Sequence, residues 1–155
     1  MNIFFINPPF ERYGGLKGHG GKATPLNLCY LSAYLKKYSK TKPVINLVDA
    51  EAEGLSFEKI VEIVVPNEPD IIAMTAPTPV VSNCFEIAKL LKNNLNNCKI
   101  VLGGPHPSIF PKETLENKEI DFCVIGEGEL VFCELVDTLY ELKNTNDLEL
   151  TKKRL

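Results

Sequence analysis

Residues 70–79 read DIIAMTAPTP. From Asp70 the run stays apolar through Met74 and stops at Thr75, with no alternation of polar and apolar positions. A strand that is apolar at successive positions has both faces covered, the condition of a parallel sheet with helices on either side. Thr78-Pro79 then reads as a helix start. Threonine suits the N-cap, and proline suits the first helical position because its missing N–H would have no partner there anyway. The stretch therefore predicts a strand at 70–75 feeding directly into a helix, one unit of an α/β sheet.

The same grammar recurs along the chain. NIFFIN (2–7), VINLVD (44–49), KIVLGG (99–104) and DFCVIG (121–126) are further continuous apolar runs of strand length. Helix signals separate them. Thr24-Pro25 repeats the cap-plus-proline start ahead of Leu28, Leu31 and Leu35 on one face. Leu55-Ser56 offers a cap, with Leu55 placed to staple onto Ile60. The helix after Thr78-Pro79 runs through Ile87, Leu90 and Leu91. Pro111 opens a short helix ending near Asn117, and Leu130, Phe132, Val136 and Leu139 mark the last one. Strands alternating with helices through short connections give a doubly wound, right-handed α/β fold. With five strands the expected architecture is flavodoxin-like (Rossmann-like), a parallel sheet of order 2-1-3-4-5. The exception to short connections is ERYGGLKGHGGKA (11–23), whose length and glycine content predict a functional loop.

Bulk composition narrows the function. The chain has 155 residues, 45% hydrophobic and 24% charged, with a formal net charge of −3, values of an ordinary globular domain. Its basic cluster, Lys152, Lys153 and Arg154, sits at the extreme end, and a nucleic-acid binder would instead carry a basic stripe. The apolar runs fall far short of a membrane span. MNIFFINPP begins directly as a strand, without the charged lead-in or cleavage site of a signal peptide. A cytoplasmic chain that engages neither nucleic acid nor membrane is expected. Cys29, Cys84, Cys98, Cys123 and Cys133 form no CxxC or CxxxCxxC group, so they read as small hydrophobes rather than metal or cluster ligands.

In this fold ligands bind at the carboxyl ends of the strands, beside the topological switch point. Four such ends carry informative residues: Asn7-Pro8-Pro9, Thr75-Ala76-Pro77-Thr78, Gly103-Gly104-Pro105-His106 and Gly126-Glu127-Gly128-Glu129. A phosphoacceptor receiver needs clustered carboxylates after the first strand, which are missing here. A flavin-mononucleotide module needs a phosphate loop there, and two prolines offer it no N–H donors. The glycines at 14, 15, 18, 20 and 21 do not match GxGxxG, and no GxSxG elbow suggests a nucleophile. What remains is a pocket of small residues. Gly103 and Gly104 leave a slot against the backbone, and Thr75 and Thr78 bring hydroxyls, a combination suited to a bulky, mostly uncharged ligand.

INPP, PLNLCYLSAYL, TAPT, VLGGPHPS and VIGEGE, in this order and each at its place in the fold, resemble the N-terminal cobalamin-binding domain of radical S-adenosylmethionine enzymes, a group that includes methyltransferases and the anaerobic magnesium-protoporphyrin ester cyclase. The resemblance runs from Asn2 to about Leu142. It implies that the nucleotide tail of cobalamin threads between the sheet and its flanking helices. Thr75 and Thr78 would touch the tail, Gly103 and Gly104 would give it room, with Pro105 and His106 beside them among the cofactor-binding residues, and Gly126, Glu127, Gly128 and Glu129 would line its other side. Asn7, Pro8 and Pro9 would lie beneath the corrin.

The cobalamin domains of mutases and methionine synthase carry DxHxxG, whose histidine ligates cobalt. Here His19 sits in KGHGGK, with Lys17 and Lys22 at the places of the aspartate and glycine. The resemblance therefore implies cobalamin held base-off with no histidine ligand. It also implies a C-terminal radical barrel domain bearing the [4Fe-4S] cluster and S-adenosylmethionine, outside this sequence. The expected layout is a cobalamin-binding domain at 1–143 and the start of a linker at 144–155.

Plainer readings stand beside these. His106, between two prolines, serves either the turn or the pocket. Glu127 and Glu129 favour a helix N-terminus through its dipole alone. Pro79 and Pro111 need no role beyond starting helices. The whole chain also reads as a degenerate flavodoxin-like scaffold that binds no cobalamin, or as a small enzyme or nucleotide module using the same strand ends.

Overall fold

The computed structural model describes residues 1–10 and 24–144. The glycine-rich 11–23 stretch with His19, and the expected linker beyond 144, lie outside the described residues. Five strands, β1 (Asn2–Asn7), β2 (Val44–Asp49), β3 (Ile71–Thr75), β4 (Lys99–Gly103) and β5 (Phe122–Cys123), form one sheet of order β2-β1-β3-β4-β5. Every pairing is parallel, as the unbroken apolar runs predict.

Two helical layers cover the sheet, and the period of two along each strand divides the core between them. From β3, Ile72 and Met74 face one layer, packing with Phe57, Ile60 and Val64 of α3 (Phe57–Val64) and with Ile87 and Leu91 of α4 (Val81–Lys92). Ile71 and Ala73 face the other. They pack with Leu28 and Leu35 of α1 (Leu26–Tyr38) and with Phe132, Cys133 and Val136 of α7 (Gly128–Asn144). All five residues of β3 are buried. At about 1.5–3 kcal/mol for each large apolar side chain removed from water, this central strand anchors both cores.

Local differences from the expected elements have local causes. Ser56 caps α3 as read, its hydroxyl accepting from Lys59 N at 3.2 Å, and Leu55 packs against the same cluster as Ile60. The two Thr-Pro starts are less direct. Helix α1 begins one residue late, with Pro25 at the cap position and its carbonyl accepting from Leu28 N and Cys29 N. After β3 the residues Thr78–Val80 form a 3-10 turn before α4. In neither place does the threonine side chain cap the helix. Two short helices are additions: α2 (Ala50–Glu53), capped by Asp49, and α5 (Pro105–Ile109), where a simple turn was expected. Pro111 opens α6 (Pro111–Glu116) as expected. Strand β5 shrinks to two residues, although Asp121 N and Val124 N still donate to Ile100 O and Leu102 O on either side of it.

The amino-end face is held by ions and caps. Asp121 accepts from Lys92 Nζ at 2.6 Å and Ile100 N at 2.8 Å, and Asp70 accepts from Lys143 Nζ at 2.6 Å and Asn2 N at 2.7 Å. Asp137 of α7 receives Ser39 Oγ and Lys40 N at the end of α1, which fixes these two helices side by side. Among the described residues no helix is long and apolar enough to cross a membrane. Burial pushes the thiols of Cys84 and Cys98 up to about 12, so both pack as neutral small side chains.

Candidate ligand-binding site

On the face covered by α1 and α7, a cleft of about 150 Å³ opens at the carboxyl ends of β3, β4 and β5. Its floor is Ala73, Val101 and Val124, and its sides are Leu28 and Leu31 from α1 and Phe132 from α7. Ala73 stands where the same face of β3 carries Ile71 one turn of the pleat earlier, so the strand narrows toward its end. A dry apolar cavity of about this volume holds one benzene-sized ring. A ring system with a polar edge fits; a macrocycle has to remain outside.

The upper walls are almost free of side chains. Gly103 and Gly104 come from β4 and the turn after it, and Gly126 and Gly128 flank the start of α7. A Cβ on Gly103 would sit 3.8 Å from Val124 Cβ, an ordinary contact. Gly104 differs. Its φ is +100°, and a Cβ there would stand 3.2 Å from Thr75 Oγ1 and 3.3 Å from Ala76 N. The second glycine thus has a reason within the chain itself: the end of β3 passes against it. Beyond the regular ladder, Ala76 N donates to Gly103 O at 2.7 Å and His106 N to Ala76 O at 3.0 Å.

Thr75 is the polar group at the bottom of the mouth. It is 8% exposed, and its Oγ1 accepts from Asn27 Nδ2 at 2.9 Å across the opening from α1. Glu127 and Glu129 line the outer edge on the α7 side, with Glu129 in the helix's first turn, where a carboxylate is favoured by the dipole.

Of the residues singled out from the sequence, Thr75, Gly103, Gly104, Gly126, Glu127, Gly128 and Glu129 meet in this cleft. The others lie elsewhere. Asn7 Nδ2 donates to Asp49 Oδ1 at 2.8 Å, and Pro8 and Pro9 are buried, with Pro9 O accepting from Asn83 Nδ2 at 2.7 Å. Thr78 is exposed in its 3-10 turn, and Pro105 is exposed at the start of α5. His106 is 3% exposed, packs its ring at a tilt against Phe110 with centroids 5.3 Å apart, and has no hydrogen-bond partner on either ring nitrogen among the described residues. The cleft is lined without it.

Sequence reading missed two polar residues here. Asn27 is one helical turn before Leu31, a polar side chain interrupting the apolar stripe of α1, and that interruption was a readable signal. Ser108 does not line the cleft but bonds to two of its walls. Its hydroxyl is spaced four residues after Gly104, the separation at which serine returns a hydrogen bond to a preceding carbonyl.

A five-stranded parallel sheet of order 2-1-3-4-5, with a small-residue cleft beside its switch point, defines a ligand-binding domain of the doubly wound class. The B12 binding domain family matches residues 18–136, and the chain belongs to that family. It is 38% identical over 144 residues to an uncharacterized methyltransferase of Pyrococcus horikoshii, covering 90% of this chain and 29% of that protein. It is 35% identical over 145 residues to the anaerobic magnesium-protoporphyrin IX monomethyl ester cyclase of Cereibacter sphaeroides, covering 93% of this chain and 23% of that one. The chain therefore spans less than a third of either relative. Among solved structures, the cobalamin-dependent S-adenosylmethionine radical enzyme OxsB with aqua-cobalamin bound superposes with a TM-score of 0.72. That match is 21% identical and covers 95% of this chain and 19% of that one, a likeness of fold.

Proposed function

We propose that this domain holds cobalamin by seating its nucleotide tail in the cleft at the ends of β3, β4 and β5, base-off and without a histidine on cobalt. The observation that supports this most directly is the shape of the cleft. It is ring-sized, apolar at the floor, walled by glycine backbone and equipped with one buried hydroxyl. A planar heterocycle on a flexible linker matches that shape. Ala73, Val101, Val124 and Phe132 would exclude water from the ring. Thr75, with Asn27 at its side, would meet a polar atom of the tail. The corrin, too large to enter, would rest outside on the carboxyl-end surface.

Among the described residues the one histidine, His106, is buried outside the cleft, and in the sequence His19 stands without the aspartate and glycine of DxHxxG; together these support a lower cobalt position without a histidine ligand. Bound cobalamin would supply methyl transfer or participation in oxidative cyclisation. The domain's part would be to bind and orient the cofactor and to present it to a radical S-adenosylmethionine barrel, C-terminal in the same polypeptide and bearing the [4Fe-4S] cluster. The family membership and the two longer relatives support that partnership.

The test is a titration of the purified chain with hydroxocobalamin, followed by visible absorption and by EPR of the reduced Co(II) form. Saturable binding without nitrogen superhyperfine splitting is expected. Nitrogen splitting would overturn the base-off assignment. A folded chain with no uptake would favour the inert scaffold.

A further inference from the structure

Helix α5 is only five residues long, yet it touches the ends of three strands, and one side chain makes two of those connections. Ser108 Oγ donates to Gly104 O at 2.8 Å and accepts from Gly126 N at 3.0 Å. Ser108 N also donates to Gly104 O at 3.2 Å, and two residues earlier His106 N reaches Ala76 O at 3.0 Å. Gly104 and Gly126, beyond the ends of the neighbouring strands β4 and β5, both line the cleft, and both have positive φ, +100° and +72°. A glycine in that region has a soft backbone, with several wells of similar energy. Gly126 is exposed, and among the described residues a Cβ on it would meet nothing within 4 Å, so that side of the turn is open. The Gly126 N–H is anchored by the bond to the Ser108 hydroxyl at 3.0 Å.

We propose that Ser108 is a positioning residue that sets the width of the cleft by tying the β4 wall at Gly104 to the β5 wall at Gly126. The inference rests on the reading of the cleft as the seat of the cobalamin tail. It adds that recognition of the tail depends on a side chain that itself lies outside the cleft. A single hydroxyl, used as donor and acceptor together, converts two flexible glycine turns into one frame. Without it the Gly126 wall keeps its sequence and loses its fixed position, so the ordering it needs has to be made up on binding.

The test compares cobalamin with cobinamide, the same corrin without the nucleotide tail, on the wild-type chain and on Ser108→Ala and Ser108→Thr, read by absorption titration. Amide hydrogen exchange at Gly126 and thermal melting are recorded alongside. Ser108→Ala is expected to weaken cobalamin binding about five- to tenfold, the effect of one lost hydrogen bond plus the freed wall. Cobinamide binding is expected to stay as in the wild type, and Gly126 N–H exchange to accelerate without a matching loss of global stability. Ser108→Thr keeps the hydroxyl and is expected to recover cobalamin affinity. Equal losses for both corrinoids, or no change in either, would overturn the positioning role. If the wild type binds cobinamide as tightly as cobalamin, or binds neither, the tail reading itself fails and this inference falls with it; that failure shows in the wild type before any variant is made.

Discussion

Asn27 Nδ2 donates to Thr75 Oγ1 at 2.9 Å, bridging the mouth of the cleft from the first turn of α1 to the end of β3. Thr75 is buried and Asn27 is exposed, so the two ends of this bond respond differently to mutation. Removing Asn27 leaves a hydroxyl that water or ligand can reach. Removing the Thr75 hydroxyl takes away the polar group at the bottom of the mouth. Thr75→Val, nearly the same volume, is expected to lower the melting temperature by about 3 °C, equivalent to about 1 kcal/mol in a domain of this size. Cobalamin affinity is expected to fall about fivefold. Melting and titration on the same preparation check both.

The two central glycines predict contrasting phenotypes. Gly103→Ala introduces a methyl 3.8 Å from Val124 Cβ and is expected to fold like the wild type while losing cobalamin affinity, because the added group narrows the slot. Gly104→Ala forces a side chain into φ +100° and against Thr75 and Ala76. It is expected to cost about 1–3 kcal/mol of stability as well as binding. Urea unfolding of the two variants separates them: similar midpoints would contradict the close approach of β3 to Gly104.

Acid weakens the amino-end face in a defined window. Burial alone would raise the carboxyls of Asp121 and Asp70. For Asp121 the Lys92 hydrogen bond, the Ile100 N–H and the charges of Lys92 and Lys99 outweigh it; for Asp70, Lys143, the Asn2 N–H and the amino terminus do so. Both groups are therefore held below their ordinary value of 3.8. A carboxyl lowered on folding contributes stability above its unfolded value, and the contribution drains as pH falls through that value toward the folded one. Stability is expected to hold from pH 7 to about 5 and to drop below about 4. Asp121→Asn should be less stable at pH 7 and show a shallower acid loss, measured by melts across that range. Added salt should blunt the Lys143 contribution most, since that lysine is the most exposed partner.

Thiol chemistry should report burial directly. Cys84 and Cys98, whose thiols burial pushes up to about 12, are expected to resist iodoacetamide at pH 8 in the folded chain and to react in urea. Alkylation under native conditions, read by mass spectrometry of peptides, would contradict the packing of α4 on the sheet if at Cys84, and the burial at the start of β4 if at Cys98.

The fold was legible because its signal is redundant. Strands β1, β3, β4 and β5 carry apolar residues at successive positions, β2 is interrupted by Asn46, and Ser56 and Pro111 mark helix starts by side-chain chemistry that depends on few neighbours. The Thr-Pro pairs misled by one residue at α1 and two at α4 because proline fixed the backbone, and the threonine side chain never turned back to cap. Helix α5 was invisible for a tertiary reason: Pro105-His106-Pro107 reads as a turn until Ala76 and Gly104 arrive to hold it. The site divides the same way. Glycines at strand ends announced a slot, and seven of the candidate residues meet there. Asn7, Pro8, Pro9, Thr78, Pro105 and His106 also sit at or just beyond strand ends, but being there does not say which face a residue turns to. Asn27 and Ser108 act through partners some tens of residues or more away or across a loop, a relation that no local pattern encodes.

The order β2-β1-β3-β4-β5 also carries an assembly sequence. As the chain emerges from its N-terminus, β2 docks beside β1, β3 takes the opposite edge of β1, β4 joins β3, and β5 joins β4. No strand has to wedge between two that are already paired, so each new segment finds a finished edge as its template, an arrangement suited to folding during synthesis. The cleft proposed as the ligand seat follows a different timetable. Its β3 and β4 walls exist early, whereas Val124, Gly126, Gly128 and Phe132 arrive with the last quarter of the chain. A nascent domain would be compact before it is competent, and cofactor capture would mark the completion of the fold.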